Sequence, residues 1–201
     1  MTTPKRTRNR RGEGGRLRVE LIDAARQLLM TAERESDLSI RAVTRAAGSA
    51  PQSFYLQFAS LDELLYEVYA IEFGLLREAL AGAADRARDP ATALLAVCRV
   101  YCTYAAKQPG RYRLLTGVRG QAHPEWTDGM PGRSAFVVLQ ETVSAALRAT
   151  GSDADPFLAA ATLWASLHGI VTLRADRPAF AWPALDAMIG SLVGQLLGRR
   201  R

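Results

Sequence analysis

Apolar residues recur at helical spacing along nearly the whole chain. Leu21, Ile22, Ala25, Leu28 and Leu29 share one side of a segment whose other side carries Arg18, Glu20, Asp23 and Arg26. That pattern predicts an amphipathic helix over residues 18–33. The polar stretch 33–37 ends it, and Ser39 is placed to cap the next helix by accepting a backbone N–H. Two short helices, 40–47 and 50–55, flank Gly48. Pro51 is tolerated in the first turn of the second, where its missing N–H has no helical partner anyway. Ser60 followed by Leu61, Asp62 and Glu63 is a strong helix start with acids at the positive end. The helix it opens runs through Leu64, Leu65, Val68, Ile71, Phe73 and Leu76 to near Ala84, long enough to link two domains. Beyond Asp89-Pro90 the spacing predicts helices over 91–107, 109–117, 132–149, 154–174 and 183–199. Their breaks fall at Pro109-Gly110 and in the loops 120–132, 151–156 and 177–183. No alternating strand pattern and no internal repeat is present, so the expected fold class is all-α.

Charge changes this picture at one end only. Residues 1–18 carry Lys5, Arg6, Arg8, Arg10, Arg11, Arg16 and Arg18 against Glu13, which accounts for the whole net charge of +6. The basic character is therefore a tail, read as a disordered arm over 1–17 that meets a polyanion, with Arg16 near its end and Arg18 at the start of the first helix as candidate contacts to it. A solvated terminus without a partner is the alternative reading. About half the residues are apolar (48%), yet no uninterrupted apolar run reaches bilayer length, and the basic N-terminus is unlike a secretory signal. The expectation is a soluble cytoplasmic protein with no membrane partner. Cys98 and Cys102, four apart, fall on one helical face and read as core rather than as a disulfide or metal pair. No phosphate-binding loop, metal cluster or nucleophile elbow occurs, and Asp153 and Asp155 are explained as helix caps. The expectations are no catalysis, no cofactor and no metal.

The informative stretch is 39–58, SIRAVTRAAGSAPQSFYLQF. Two short helices joined by a tight turn containing Gly form a helix-turn-helix pattern, and Gly48 reaches a left-handed backbone without cost. Ile40, Val43 and Ala47 with Phe54 are spaced to bury against the first helix, leaving Gln52, Ser53, Tyr55, Leu56 and Gln57 largely outside. Such a surface suits the major groove, where Gln pairs with adenine and apolar side chains meet thymine methyls. Small residues at Ala50, Pro51 and Ser53 permit close approach, and Ser39, Arg41 and Tyr55 are placed to hold phosphates.

Ala24-Ala25 on the first helix, then Ala47, Gly48, Tyr55, Phe58 and Ser60 at A-G-x-x-x-x-x-x-Y-x-x-F-x-S spacing, then Leu64-Leu65 on a long helix, resemble the TetR/AcrR family over about residues 18–70. The resemblance implies a three-helix DNA-binding domain over 18–64 and a ligand-sensing and dimerisation bundle over 65–201. It places Arg41, Pro51, Gln52, Ser53, Tyr55, Leu56 and Gln57 toward DNA. Three positions depart from the family pattern. Leu61 stands where a Lys is usual, no Gly occurs in 33–37, and Thr44 occupies a packing position where Ala is common. The arginine arm is a candidate to compensate through phosphate or minor-groove contacts.

The resemblance also implies a homodimer on palindromic operator DNA and an unidentified small-molecule effector. The helices over 155–173 and 184–197 are apolar nearly all round and must be covered, by their own domain or by a second subunit. Trp164-Ala-Ser-Leu-His168-Gly169 is similar to a Trp-x-x-x-His-Gly signature of one group of family C-terminal domains. His168 is either a pocket-wall donor or a buried histidine satisfied by a backbone carbonyl, with Gly169 allowing close helix packing. Tyr101, Tyr104, Trp126, Phe136 and Trp164 join His168 as candidate ligand residues, against the plainer reading of each aromatic as core. The loop 120–132 is a candidate gate or an inert connection.

Overall fold

The computed structural model describes residues 14–31, 38–116 and 132–198, and among them it contains nine helices and no strand. They are α1 (Gly14–Thr31), α2 (Ile40–Ala46), α3 (Pro51–Phe54), α4 (Leu61–Asp85), α5 (Pro90–Lys107), α6 (Pro109–Thr116), α7 (Arg133–Thr150), α8 (Pro156–Asp176) and α9 (Leu185–Leu196). The fold is all-α, as the periodicity predicts. The largest boundary difference is at the start of α1, which begins at Gly14 and buries Leu17, so residues 14–17 join the helix rather than the arm. Arm residues 1–13, the stretch 33–37 and most of the loop 120–132, Trp126 included, lie outside the described residues.

Local chemistry explains most of the boundaries. Ser39 accepts the Ala42 N–H at 3.2 Å, and Ser60 accepts that of Glu63 at 3.2 Å. Glu63 returns a carboxylate to the Ala59 N–H at 2.7 Å, close to a capping box. Asp89 accepts the Thr92 N–H and Asp155 that of Phe157, both at 2.9 Å, ahead of Pro90 and Pro156. Gly151 closes α7 in the left-handed region, φ 69°, where its N–H and that of Ser152 reach carbonyls of the last turn.

The chain divides into two compact units. The first holds α1–α3, α4 through Glu72 and α6 from Arg113; the second holds α4 from Phe73, α5, α6 through Tyr112, and α7–α9. In the first, Leu21, Ala25, Val43, Phe54, Phe58, Leu64, Val68 and Tyr69 form the buried centre. Arg26 donates from Nε and Nη2 to Oε1 of the fully buried Glu72, at 2.8 and 2.7 Å, which ties α1 to α4. In the second, α5 packs against α7, α8 and α9 around Leu94, Val97, Cys98, Cys102, Val143, Leu147, Leu167 and Ile189. Both cysteines are free and buried, as core residues.

Helix α8 qualifies the expectation about apolar runs. Thr162, Ser166 and His168 interrupt it, yet by length and composition it is apolar enough to cross a membrane, and only 28% of its most apolar window is buried within the chain. Phe157, Leu158, Trp164 and Leu173 stand exposed along it. A methyl group added at Gly169 would meet nothing within 4 Å beyond its own helix, and the same holds for Gly190 on α9. Among the described residues, the close packing expected at Gly169 is therefore absent.

Candidate nucleic-acid interface and effector region

Four residues make α3, barely one turn, so its direction is set by what it is anchored to. Gly48 adopts φ 63°, and the Ser49 N–H reaches the Thr44 carbonyl at 2.8 Å, closing the turn between α2 and α3. Phe54 and Phe58 are fully buried, with ring centroids 5.6 Å apart. On α2 the buried pair is Val43 and Thr44, whereas Ile40 and Ala47 are only half-buried. Thr44 is accommodated because its hydroxyl donates to the Ile40 carbonyl at 2.8 Å, so no polar group is stranded.

What the anchors leave outside is the recognition candidate. Tyr55 is 63% and Leu56 78% exposed. Pro51, Gln52 and Arg41 are exposed, and Ser53 and Gln57 half-exposed. Large apolar side chains so open to water, on a turn flanked by buried phenylalanines, form poor core and a usable contact surface. Ser39 is exposed but already serves as the α2 cap. Arg16 pairs with Glu20 at 2.9 Å and remains largely in solvent. Arg18 is engaged within the unit. It donates to the Gln57 carbonyl at 2.7 Å, pairs with Glu67 at 3.1 Å, and lies 4.3 Å over the Phe58 ring.

The second unit brings together three of the proposed ligand residues and adds a fourth. Trp164 Nε1 lies 3.2 Å from Tyr101 Oη, Tyr101 Oη 3.0 Å from Tyr112 Oη, and Tyr112 Oη 2.6 Å from His168 Nδ1. An indole N–H only donates. Tyr101 therefore accepts from Trp164 and gives its own hydrogen to Tyr112, whose hydroxyl shares a hydrogen bond with His168 Nδ1. In that direction the hydrogen of the buried Tyr101 hydroxyl finds its acceptor in Tyr112. Burial pushes both phenols above the usual tyrosine range, so each keeps its hydrogen. The partner of His168 is thus a tyrosine hydroxyl rather than the backbone carbonyl considered from sequence. Phe136 stacks edgewise on Trp164 at 5.9 Å, and Tyr104 is half-buried one turn beyond Tyr101. An open groove of about 460 Å³, lined by Ala81, Asp85, Arg88, Ala93, Val138 and Glu141 among others, includes none of these aromatics.

Residues 94–195, half of the chain, match the family model described as tetracyclin repressor-like, C-terminal domain. The chain belongs to the TetR family of transcriptional regulators. An uncharacterised HTH-type transcriptional regulator of Mycobacterium tuberculosis is 32% identical over 140 residues, covering 68% of this chain and 61% of that protein. The match thus spans less than two thirds of that relative's length. Two solved structures share the TetR-family fold. FadR of Bacillus subtilis, in complex with stearoyl-CoA, has a TM-score of 0.71 at 14% identity, over 91% of this chain and 99% of that one. A TetR family regulator of Marinobacter aquaeolei has 0.67 at 13%, over 94% and 98%.

Within this TetR-family chain, two residues carry more than their sequence context suggests. Tyr112 is the hub of the polar chain, yet nothing in Gly-Arg-Tyr-Arg on α6 marks it; only the apolar face it shares with Leu115 hints at burial. Arg18 looks like one more arginine of the basic run. Its one local signal is its place on the predicted first helix rather than in the tail before it.

Proposed function

We propose that this chain is a cytoplasmic regulator that binds a palindromic operator as a homodimer and represses transcription until a small apolar or aromatic effector releases it. The observation that carries the DNA-binding part is the exposure of Tyr55 and Leu56 beside the buried Phe54 and Phe58. Gln52, Ser53, Tyr55, Leu56 and Gln57 are the groove-facing set, with Pro51 allowing close approach; Arg16, Ser39 and Arg41 are placed for phosphates. The basic arm adds attraction that does not depend on sequence.

Support for the dimer comes from the exposed apolar side chains of α8, Phe157, Leu158, Trp164 and Leu173, and from the open glycines Gly169 on α8 and Gly190 on α9, which call for cover that the described residues do not supply. A second copy supplies it and sets two recognition turns roughly 34–36 Å apart, one turn of duplex. For the effector, Tyr101, Tyr104, Phe136, Trp164 and His168 offer an apolar, aromatic lining with one imidazole N–H donor; Trp126 belongs to the same proposal from sequence alone. The stearoyl-CoA held by the FadR structure makes a long-chain acyl-CoA a natural first probe. A regulator without an effector is favoured by one observation: Trp164, Tyr101, Tyr112 and His168 already satisfy one another.

Selection of bound sequences from random duplexes tests the reading. The expected result is a two-fold symmetric site. Replacing Leu56 by Ala should then weaken binding to that site with no loss of thermal stability. Recovery of no preferred sequence by the intact protein would overturn the proposal. Release of the selected duplex by an added effector, at fixed protein concentration, separates the sensing regulator from the effector-free one.

A further inference from the structure

Arg18 sits where three segments of the first unit meet. From α1, its Nη1 donates to the Gln57 carbonyl just beyond α3 at 2.7 Å, and its Nη2 meets Glu67 Oε1 on α4 at 3.1 Å. The guanidinium carbon lies 4.3 Å above the Phe58 ring. A helix of one turn holds its own course poorly, because its few internal hydrogen bonds oppose the entropy of a short segment. The exposed Tyr55 and Leu56 and the half-exposed Gln57 are carried on the bend that follows that turn. Their direction depends on the anchors at either side: Phe54 and Phe58 below, and the Arg18 fork on the Gln57 carbonyl.

We propose that Arg18 is a positioning residue for sequence recognition, aiming the Tyr55–Gln57 segment rather than contacting phosphate. The inference rests on the DNA-binding reading above and extends it to a residue that faces the protein. A planar fork is what the place requires. It bonds a carbonyl and a carboxylate with separate nitrogens while its face covers an aromatic ring, and a lysine ammonium cannot do all three. Glu67 also balances the charge that a phosphate would otherwise attract.

The two roles differ in what lysine can rescue and in how binding responds to salt. A phosphate-binding arginine is largely replaced by lysine, and its removal weakens all duplexes alike and lowers the salt slope by about 1 per subunit. A positioning arginine is not rescued by lysine. Its loss lowers affinity for the selected duplex alone and leaves the salt slope unchanged. We therefore expect Arg18→Lys and Arg18→Gln each to lose on the order of tenfold or more in affinity for the selected duplex, since a loosely supported site loses its geometry. Affinity for an unrelated duplex should stay the same. Glu67→Gln, which removes one arm of the fork and no residue of the DNA surface, should show a smaller loss of the same kind.

The measurement is binding to the selected and the unrelated duplex over a range of salt, at a temperature where circular dichroism finds each variant folded. A residue needed only for stability would leave the ratio of the two affinities unmoved, which overturns the proposal. Rescue by lysine, or a flatter salt slope in Arg18→Gln, overturns it in favour of a phosphate contact. Failure of the unmodified protein to prefer any duplex is a separate result, which removes the DNA-binding reading and this role together.

Discussion

Replacing Tyr112 by Phe deletes one oxygen from the middle of the chain that runs from Trp164 through Tyr101 to His168. Two groups lose a partner: the Tyr101 hydroxyl, which has given its hydrogen to Tyr112, and His168 Nδ1, which bonds the Tyr112 hydroxyl. Leaving a buried polar group unmatched costs about 1–3 kcal/mol. Tyr101 is buried and carries the larger share, while His168 is half-buried and gains partial relief from water. The sum is about 2–4 kcal/mol, a fall in Tm of very roughly 5–15 °C for a chain of this length. Tyr101→Phe is the informative control. It leaves the Tyr112–His168 bond in place and strands only the N–H of Trp164, which is 48% exposed, so the loss should be about 1 kcal/mol. Urea denaturation of both variants, followed by tryptophan fluorescence, measures the difference. All three tryptophans, Trp126, Trp164 and Trp182, belong to the C-terminal part of the sequence, so the signal reports on that region. A loss below about 0.5 kcal/mol for Tyr112→Phe, or a larger loss for Tyr101→Phe, would refute the place of Tyr112 at the centre of the chain.

Three further outcomes are expected. Burial, with a smaller contribution from Cys102, pushes the Cys98 thiol from 9.0 up to about 12. The unfolded chain therefore releases this proton from about pH 9 while the folded one retains it, and stability is intact below pH 9 and falls as pH rises toward 12. The slope is about 1.4 kcal/mol per pH unit. Between pH 9 and 10.5 the protein should lose about 2 kcal/mol more than Cys98→Ala does in parallel urea titrations, and equal losses would count against the burial argument. Arg26→Met leaves the Glu72 carboxylate buried without its guanidinium, and urea midpoints should record a loss of about 3 kcal/mol or more; a neutral result would mean that the pair does not tie α1 to α4. Leu158→Glu places a charge on the exposed apolar side of α8, where the proposed second copy would pack, so sedimentation of the proposed dimer should show a shift toward monomer with the helical content retained, whereas an unchanged association state would count against an interface on this face.

Much of the architecture is legible in the residues because it is made of short-range events. Ser39, Ser60, Asp89 and Asp155 cap helices through bonds to residues two or three positions ahead. Gly48 and Gly151 occupy left-handed turns that other residues would strain to reach. The exposed set Gln52, Tyr55 and Leu56 follows from the same local logic, since a helical face that does not hold Phe54 and Phe58 has to point elsewhere. Even the misplaced start of α1 is a matter of a few residues, settled once Leu17 finds a core to enter.

Partners distant in sequence were a different matter. Arg18 meets Gln57 across 39 positions, Arg26 meets Glu72 across 46, and Tyr112 meets His168 across 56. Nothing in the composition of those segments distinguishes an arginine that faces a phosphate from one that braces a turn, or a core tyrosine from the hub of a polar chain. Capping, periodicity and turn preference act within a few residues, so the order of letters alone determined the helices, most of their limits to within a turn, and the helix-turn-helix. A long side chain takes its partner from whichever helices pack around it, and only the tertiary structure brings those helices together.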